Sequence, residues 1–175
     1  MSASDIEVRP ARETDLAAVT DVYAYHVLHG LATFEIEPPS CAEMIRRYRS
    51  LMANGFPYLV ATANQTVLGY AYAGPYRERP AYRHTVENSV YVAHTQVGRG
   101  IGRSLLDALI IESEQRGYRQ MLAVIGDSAN RASIRLHERC GFILTGTFRA
   151  VGHKHGRWVD SVLMQRVLGL GDAPI

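Results

Sequence analysis

VGRGIGRS, residues 97–104, is the stretch that decides how this sequence folds. It follows an alternating β-type run and precedes a helical pattern whose apolar face includes Ile101 and Leu105. Unpaired N–H groups and the helix dipole at the start of a helix favour an anion, and glycines let the backbone approach it closely. Arg99 and Arg103 can add charge-assisted contacts. The stretch therefore predicts a phosphate-binding loop; the open alternative is a glycine turn that merely starts a helix.

Two common nucleotide-binding motifs do not fit this loop. It lacks the Lys-Ser/Thr pair that ends a Walker A motif. It also lies in the middle of the chain, after a predicted antiparallel hairpin, and no acidic residue ends a following strand. These features exclude a P-loop and a dinucleotide fingerprint.

Strand and helix patterns surround the loop on both sides. Predicted strands cover residues 6–8, 57–63, 67–74, 85–92, 121–125, 142–151 and 158–168, and predicted helices begin near Thr14, after Ser40, after Gly98 and near Asn130. Ser40 and Glu43 have the spacing of a capping box, residues 64–66 form a hairpin turn, and Asn88 is a candidate interruption of its strand. Without repeats or a linker, the order predicts one mixed α/β domain over residues 1–175.

Composition limits the classes of function. The 175 residues carry a formal net charge of +2, and the basic residues are scattered, so nucleic acid is not an expected partner. Cys41 and Cys140 lack the spacing of a disulfide framework or a zinc site. Residues 1–10 lack a signal-peptide core, and no apolar run is long enough to cross a membrane. We expect a cytoplasmic protein with no membrane partner and no metal.

The glycine loop resembles motif A of the GNAT superfamily of N-acetyltransferases. That pattern, Gln/Arg-x-x-Gly-x-Gly/Ala, maps onto residues 97–102, with Val97 at the Gln/Arg position. Nearly the whole chain resembles the branch that acetylates phosphinothricin and methionine sulfone or sulfoximine; the marks are ATF at 32–34, YAYAGP at 70–75, HTVE at 84–87, residues 133–137 with Gly141-Phe142, and KHGRWVD at 154–160. The resemblance implies a GNAT fold: a mixed, mostly antiparallel sheet of about seven strands flanked by about four helices.

Acetyl-CoA is the co-substrate that this resemblance implies. Its pyrophosphate would lie on the glycine loop, at Arg99, Gly100, Ile101, Gly102, Arg103 and Ser104. Its pantetheine arm would pair with the end of the preceding strand, at Tyr91, Val92 and Ala93, as an added strand does. Asn130, Ser133 and His137 share one helix face, which we expect to point at the cofactor. By resemblance, Asn130 would bond the pantetheine arm.

Acetyl transfer to an amine needs a base, a polarised carbonyl and a proton for the leaving thiolate. Glu87 lies in a strand beside Val86 and Val90, where burial should raise its pKa toward a useful range, and the resemblance marks it as the base. The open alternative is an exposed strand carboxylate. By the resemblance, His137 occupies the position of a Tyr that protonates the thiolate; a His there can do the same or share the base role with Glu87, and the alternative is a packing His. Backbone N–H groups at a bulge near Tyr91 would polarise the carbonyl.

The acceptor site is predicted from an arginine- and tyrosine-rich segment. Arg77, Arg79 and Arg83, with Tyr72, Tyr82 and Thr85, are interpreted as a clamp for a substrate carboxylate or phosphinate, although a solvated loop stays open. By the same resemblance, Phe34 and Thr33 would form the opposite wall. By resemblance, the segment around Lys154 lies near the two-fold axis of a homodimer, where Lys154 or its neighbours can reach the partner's acceptor site. His153 and His155 need no metal, because alternate strand residues share a face.

These residues predict an enzyme that acetylates the α-amine of a small, amino-acid-like acceptor by direct attack in a ternary complex. Phosphinothricin, methionine sulfoximine and methionine sulfone lead the acceptor classes. Two alternatives stay open: an N-acetyltransferase of proteins or peptides, and a CoA-binding regulatory module without catalysis.

Overall fold

The computed structural model describes residues 6–174. Residues 1–5, which belong to the segment predicted to lack a signal-peptide core, and residue 175 lie outside the described residues. The strands are β1 (Glu7–Pro10), β2 (Tyr58–Ala63), β3 (Thr66–Pro75), β4 (Thr85–Val92), β5 (Gln120–Gly126), β6 (Ile143–Lys154) and β7 (Arg157–Val167), and the helices are α1 (Leu16–His29), α2 (Cys41–Ala53), α3 (Ile101–Gln115) and α4 (Arg131–Arg139). Within this described part, no helix has both the length and the apolar character needed to span a membrane.

The seven strands form one sheet in the order β1-β2-β3-β4-β5-β7-β6. Only β4 and β5 pair in parallel, and the other neighbours are antiparallel. The predicted mixed, mostly antiparallel sheet is thus confirmed. β4 and β5 pair only from Thr85–Gln120 to Asn88–Ala123, although both strands continue beyond that point. The sheet therefore opens in its middle, between the second halves of β4 and β5.

Each face of the sheet has its own apolar core. On one face, Leu105 and Leu109 of α3 pack with Val86 and Met121 of the sheet, and Leu136 of α4 joins them. On the other face, α1 and α2 cover a group of buried or half-buried tyrosines that includes Tyr58, Tyr70, Tyr72 and Tyr91. Because successive strand residues point to opposite faces, β4 sends Val86, Asn88 and Val90 one way and Glu87, Ser89 and Tyr91 the other.

The start of α2 follows half of the predicted capping box. Ser40 is the N-cap, and its hydroxyl accepts the backbone N–H of Glu43 at 3.2 Å. The Glu43 carboxylate does not complete the box, because it binds the guanidinium groups of Arg46 and Arg47 at 2.7 and 2.8 Å. These hydrogen bonds, first from Arg46, lower the pKa of Glu43 to about 2. Charge-assisted bonds to two arginines replace the single bond that the box would have supplied.

The hairpin between β2 and β3 closes on Asn64 and Gln65, which both adopt positive φ, 48° and 64°. A two-residue turn with this geometry strongly prefers Asn-Gly, because a β-carbon is disfavoured in the left-handed region. We expect Gln65→Gly to raise the free energy of unfolding by about 0.5 to 1 kcal/mol. Urea denaturation measures the change. Thr66→Gly, next to it at an exposed residue that begins β3, should destabilise the protein; equal effects of the two variants would contradict the prediction.

Candidate active site

Two adjoining cavities lie where β4 and β5 separate. The larger, here called the groove, has a volume of about 810 Å³ and runs between the end of β4, the glycine loop and α4. The smaller, here called the pocket, has a volume of about 260 Å³ and lies beside Glu87. The walls that the two share consist of Ala32, Val90, Tyr91, Gly126, Asn130 and Ser133. An elongated ligand in the groove can therefore touch a small ligand in the pocket.

The second half of β4 offers a free backbone edge to the groove. The Ala93 N–H donates to Leu68 O at 2.8 Å, so alternation along an antiparallel pair directs the backbone groups of Tyr91 and Ala93 toward β3. The backbone N–H and C=O groups of Val90 and Val92 therefore face the open side. There, Val92 O accepts a hydrogen bond from His26 Nε2 at 2.9 Å. β4 stays in register with β3 from Val86 to Val92, so the bulge predicted near Tyr91 is wrong. Strand separation, not a bulge, frees the N–H groups.

The glycine loop ends at the start of α3, as predicted. Gly98 and Gly100 adopt φ of 79° and 81°, in the left-handed region that favours glycine, and Gly100 is the N-cap. Gly100, Ile101, Gly102 and Arg103 line the groove. The first N–H groups of a helix have no partner within it, and they carry partial positive charge. This end of the groove is suited to an anion.

Three residues predicted to bind the cofactor do not line the groove. Ala93 uses its N–H on β3, the Arg99 guanidinium is bonded to the Gln96 side chain, and the Ser104 hydroxyl donates to Gly100 O at 3.4 Å. Asn130 and Ser133 do line it. Asn130 also caps α4, because its side-chain oxygen accepts the Ser133 N–H at 3.2 Å. Local hydrogen bonds thus compete with several of the predicted contacts.

Glu87 lies at the pocket, on the face of β4 that also carries Ser89 and Tyr91. Among the described lining residues it is the one carboxylate. Its side chain is partly buried, and burial raises the pKa of Glu87 above its usual range. Burial is the one cause of this shift, with no cation of residues 6–174 opposing it. A carboxylate with a raised pKa is a better proton acceptor than an exposed one.

His137 lies on the opposite face of the sheet and reaches the same pocket through the gap between the strands. It is only 4% exposed. Its Nδ1 lies 2.8 Å from Ser133 O and its Nε2 lies 3.1 Å from Asn88 Oδ1, while Asn88 Nδ2 donates to Leu122 O. Two oxygen neighbours favour a doubly protonated ring, whereas burial lowers the pKa of His137. These opposing effects suit a group that exchanges a proton.

Hydrogen bonds to Tyr23 and Lys154 fix the wall of the pocket that Thr33 and Phe34 form. Thr33 Oγ1 lies 2.8 Å from Tyr23 Oη, which donates to Glu35 Oε1 at 2.9 Å. Lys154 Nζ donates to Thr33 O at 2.8 Å, and Lys154 is only 2% exposed. This position differs from the prediction: Lys154 supports the wall of its own chain instead of extending toward a partner, because the end of β6 packs beneath the wall.

The predicted arginine clamp is not assembled at either cavity. The guanidinium of Arg77 lies over the rings of Tyr76 and Tyr82, 5.1 and 6.0 Å from their centroids. The predicted clamp residues Arg77, Arg79, Tyr82, Arg83 and Thr85 line neither the groove nor the pocket, whereas Tyr72 and Phe34 line the pocket. The reason is topological: the segment precedes β4, and the cavities begin at Glu87 and extend toward the far end of that strand.

Several residues that line the groove or the pocket were not predicted as site residues from the sequence. Ser89 could have been found, because strand alternation places it on the same face as Glu87. Tyr23 sits at a helical spacing typical of core residues, and nothing in the sequence marks it as a pocket residue. Asn88 gives a weaker signal: a polar residue between Val86 and Val90 on a buried face needs a partner. His26 gives no signal that distinguishes it from His29, the other histidine of α1.

Metal binding has no support in the described chain. Within residues 6–174, no group of three or more His, Cys, Asp or Glu side chains is arranged to hold an ion. The ring of His153 packs against Trp158, with centroids 5.2 Å apart.

Comparison with known proteins agrees with this geometry. A family model described as an acetyltransferase (GNAT) domain matches residues 8–163. The chain is 49% identical to phosphinothricin N-acetyltransferase of Alcaligenes faecalis, over 96% of this chain and 85% of that protein. It is 40% identical to L-methionine sulfoximine/L-methionine sulfone acetyltransferase of Salmonella typhimurium, over 95% and 97%. It is also similar to a crystal structure of a GNAT superfamily phosphinothricin acetyltransferase from Sinorhizobium meliloti in complex with AcCoA, with a TM-score of 0.94 and 45% identity over 98% of this chain and 92% of that one. The chain belongs to the GNAT family of acetyltransferases.

Proposed function

We propose that this acetyltransferase transfers the acetyl group of acetyl-CoA to the α-amine of a small amino acid analogue of the phosphinothricin, methionine sulfoximine or methionine sulfone type. The observation that carries the proposal is the pocket of about 260 Å³ with Glu87 in its wall, adjoining a groove that ends at the glycine loop. The pocket has room for a small acceptor and little more. The names of the two relatives supply the acceptor class.

Acetyl-CoA fits the chemistry of the groove. The free N–H groups at the start of α3 and the guanidinium of Arg103 suit a diphosphate. The open edge of β4, at Val90 and Val92, suits the amides of a pantetheine arm, which can pair as an added strand does. When bound, acetyl-CoA supplies a thioester carbonyl that an amine attacks, with coenzyme A leaving as the thiol.

In the proposed mechanism, Glu87 is the general base. Its carboxylate accepts the proton that the substrate amine loses as the new C–N bond forms, directly or through one water. The Val90 N–H, on the free edge of β4, stabilises negative charge on the acetyl oxygen. The doubly protonated ring of His137 gives its Nε2 proton, which otherwise faces Asn88 Oδ1, to sulfur as the C–S bond breaks, and the contact of Nδ1 with Ser133 O holds the ring in place. No nucleophile of the chain is needed, because the two cavities share a wall.

We also propose that the enzyme acts as a homodimer in the cytoplasm. Ile143, Leu144, Phe148, Val151 and Trp158, on β6 and β7, are each more than half exposed, at 67, 62, 57, 55 and 66%. An exposed apolar surface of this kind is typical of a protein interface. The described lining of the pocket includes no Lys or Arg, so an anionic acceptor needs a cation from elsewhere. Arg77, Arg79 and Arg83 remain the proposed source, supplied by the second subunit.

An acceptor panel tests the proposed function. Thiol release from acetyl-CoA is measured with phosphinothricin, methionine sulfoximine, methionine sulfone, ordinary amino acids and a peptide with a free amino terminus. We expect saturable turnover with the first three compounds and none with the peptide. Turnover confined to the peptide would assign protein acetylation instead. Binding of acetyl-CoA without turnover of any amine would favour a regulatory module.

A further inference from the structure

One end of the groove carries positive charge from arginines of α4, in addition to the glycine loop. Arg135 and Arg139 lie one helical turn apart on α4, both are exposed, and both line the groove. Arg103, on α3, lines the same end and has Asp107 as an ion-pair partner at 3.4 Å. Within residues 6–174, neither Arg135 nor Arg139 has a carboxylate within ion-pair distance. Two arginines therefore line the groove without an ion-pair partner among the described residues.

Helix packing places these two arginines at the end of the groove that the glycine loop forms. A β-carbon added at Gly102 would lie 3.3 Å from Leu136 Cδ2, so the second half of α4 packs directly on the first turn of α3. The residue that follows α4, Cys140, has Asp107 of α3 as a neighbour: burial, and then a hydrogen bond with Asp107, raise the pKa of its thiol to about 11. The opposite end of α4, at Asn130, lines the pocket. The nine-residue helix is about 13 Å long and therefore runs from the pocket to the start of α3.

We infer that Arg135 and Arg139 bind the 3′-phosphate of coenzyme A. The inference rests on the proposed function only in taking coenzyme A as the donor scaffold. The loop N–H groups and Arg103 already match the diphosphate, and coenzyme A carries one further anionic group, a phosphomonoester on its ribose. A phosphomonoester is close to dianionic at neutral pH, and guanidinium groups bind it through paired N–H donors. Arg135 and Arg139 make the enzyme select coenzyme A over its form without this phosphate.

Calorimetric titration with coenzyme A and with dephospho-coenzyme A tests the assignment, since the two ligands differ only in the 3′-phosphate. We expect the wild type to bind coenzyme A about tenfold more tightly, as two exposed charge-assisted contacts allow. In the double variant R135A/R139A the ratio should fall to about one. The change should come from weaker binding of coenzyme A, with the affinity for dephospho-coenzyme A within about twofold of wild type.

Arg131→Ala is the matched control, because Arg131 is exposed on the same helix and lies outside the groove lining. It should keep the wild-type ratio. Raising the salt concentration should reduce the ratio in the wild type and leave it unchanged in the double variant. Equal affinities of the wild type for the two ligands would overturn the assignment, as would a double variant that weakens both ligands equally. The readout is binding, so failure of the acceptor panel would leave this result unaffected.

Discussion

Replacing Glu87 with glutamine is expected to lower kcat by about 10²- to 10⁴-fold, the range for loss of a general base, while the dissociation constant of acetyl-CoA stays within about twofold. Glutamine keeps the size and shape of the side chain but cannot accept a proton. Glu87 lines the pocket and not the groove, so cofactor contacts should persist. Pre-steady-state turnover with a saturating acceptor, and calorimetry with acetyl-CoA, measure the two quantities separately.

The pH dependence gives a second signature of the same residue. Burial raises the pKa of Glu87 above its ordinary value of 4.5, and the base acts only as the carboxylate. In the wild type, kcat/KM should therefore fall as the pH falls through this raised pKa. The glutamine variant should not show this acidic decrease in its pH profile.

The stability of the protein should depend on pH in the opposite direction. A raised carboxyl pKa contributes stability that is present below the pKa of the unfolded state and is lost as the pH rises through the pKa of the folded state. At neutral pH the variant should melt at or above the wild-type temperature.

Glu138→Gln is the control, since Glu138 is an exposed carboxylate on α4 that lines neither cavity. It should leave kcat, the pH profile and acetyl-CoA binding at their wild-type values. A Glu87→Gln variant that keeps half or more of the wild-type kcat would remove Glu87 from the base role. One that loses acetyl-CoA affinity would assign it to cofactor binding.

Local signals in the sequence were enough for most of the fold. Each predicted strand and helix is present, because alternation and helical periodicity each arise from burial of one face. The cap at Ser40 and the turn at Asn64 also depend only on neighbouring residues, and both are observed. The glycine loop belongs to the same class, since the left-handed backbone at Gly98 and Gly100 is a local property.

The candidate site was harder to predict, because it depends on contacts between distant segments. The backbone edge of β4 that faces the groove follows from the register with β3, and the sequence does not specify that register. The prediction therefore named Tyr91, Val92 and Ala93, whereas the backbone groups of Val90 and Val92 face the opening. The partnership of Asn88 with His137 joins residues 49 apart in the chain. The path of the segment that contains Arg77, Arg79 and Arg83 is likewise set by tertiary structure. The prediction put this segment at the acceptor site because of its composition, and the structure does not place it there.

Gly126→Ala is the second variant expected to have a large effect, on stability and activity together. Gly126 ends β5, pairs with Ser161 of β7 and lines both cavities. A β-carbon there would overlap Leu31 O and lie 3.1 Å from Leu31 C, and the φ of Gly126 is not in the left-handed region, so the penalty is steric. The clash is with backbone, which cannot rotate away as a side chain can. Residues 31–33 must therefore move, or β5 must leave its register.

Either movement displaces the acceptor wall. The bonds of Thr33 to Tyr23 and to Lys154 fix that wall, and a shift of the segment strains both. We expect the free energy of unfolding to fall by about 1 to 3 kcal/mol, the range for overpacking, and kcat/KM for the acceptor to fall by up to about 100-fold, as misplacement by about 1 Å allows. Urea denaturation and steady-state kinetics measure the two effects.

Gly146→Ala separates steric overlap from the general effect of adding a methyl group to a strand. Gly146 lies in β6, and a β-carbon there would have no atom of residues 6–174 within 4 Å. Its variant should stay within about 0.5 kcal/mol of wild type in the free energy of unfolding. If Gly126→Ala unfolds at the wild-type urea concentration with an unchanged acceptor KM, the wall does not depend on this contact. If stability falls but kcat/KM does not, the contact holds the fold together without shaping the pocket.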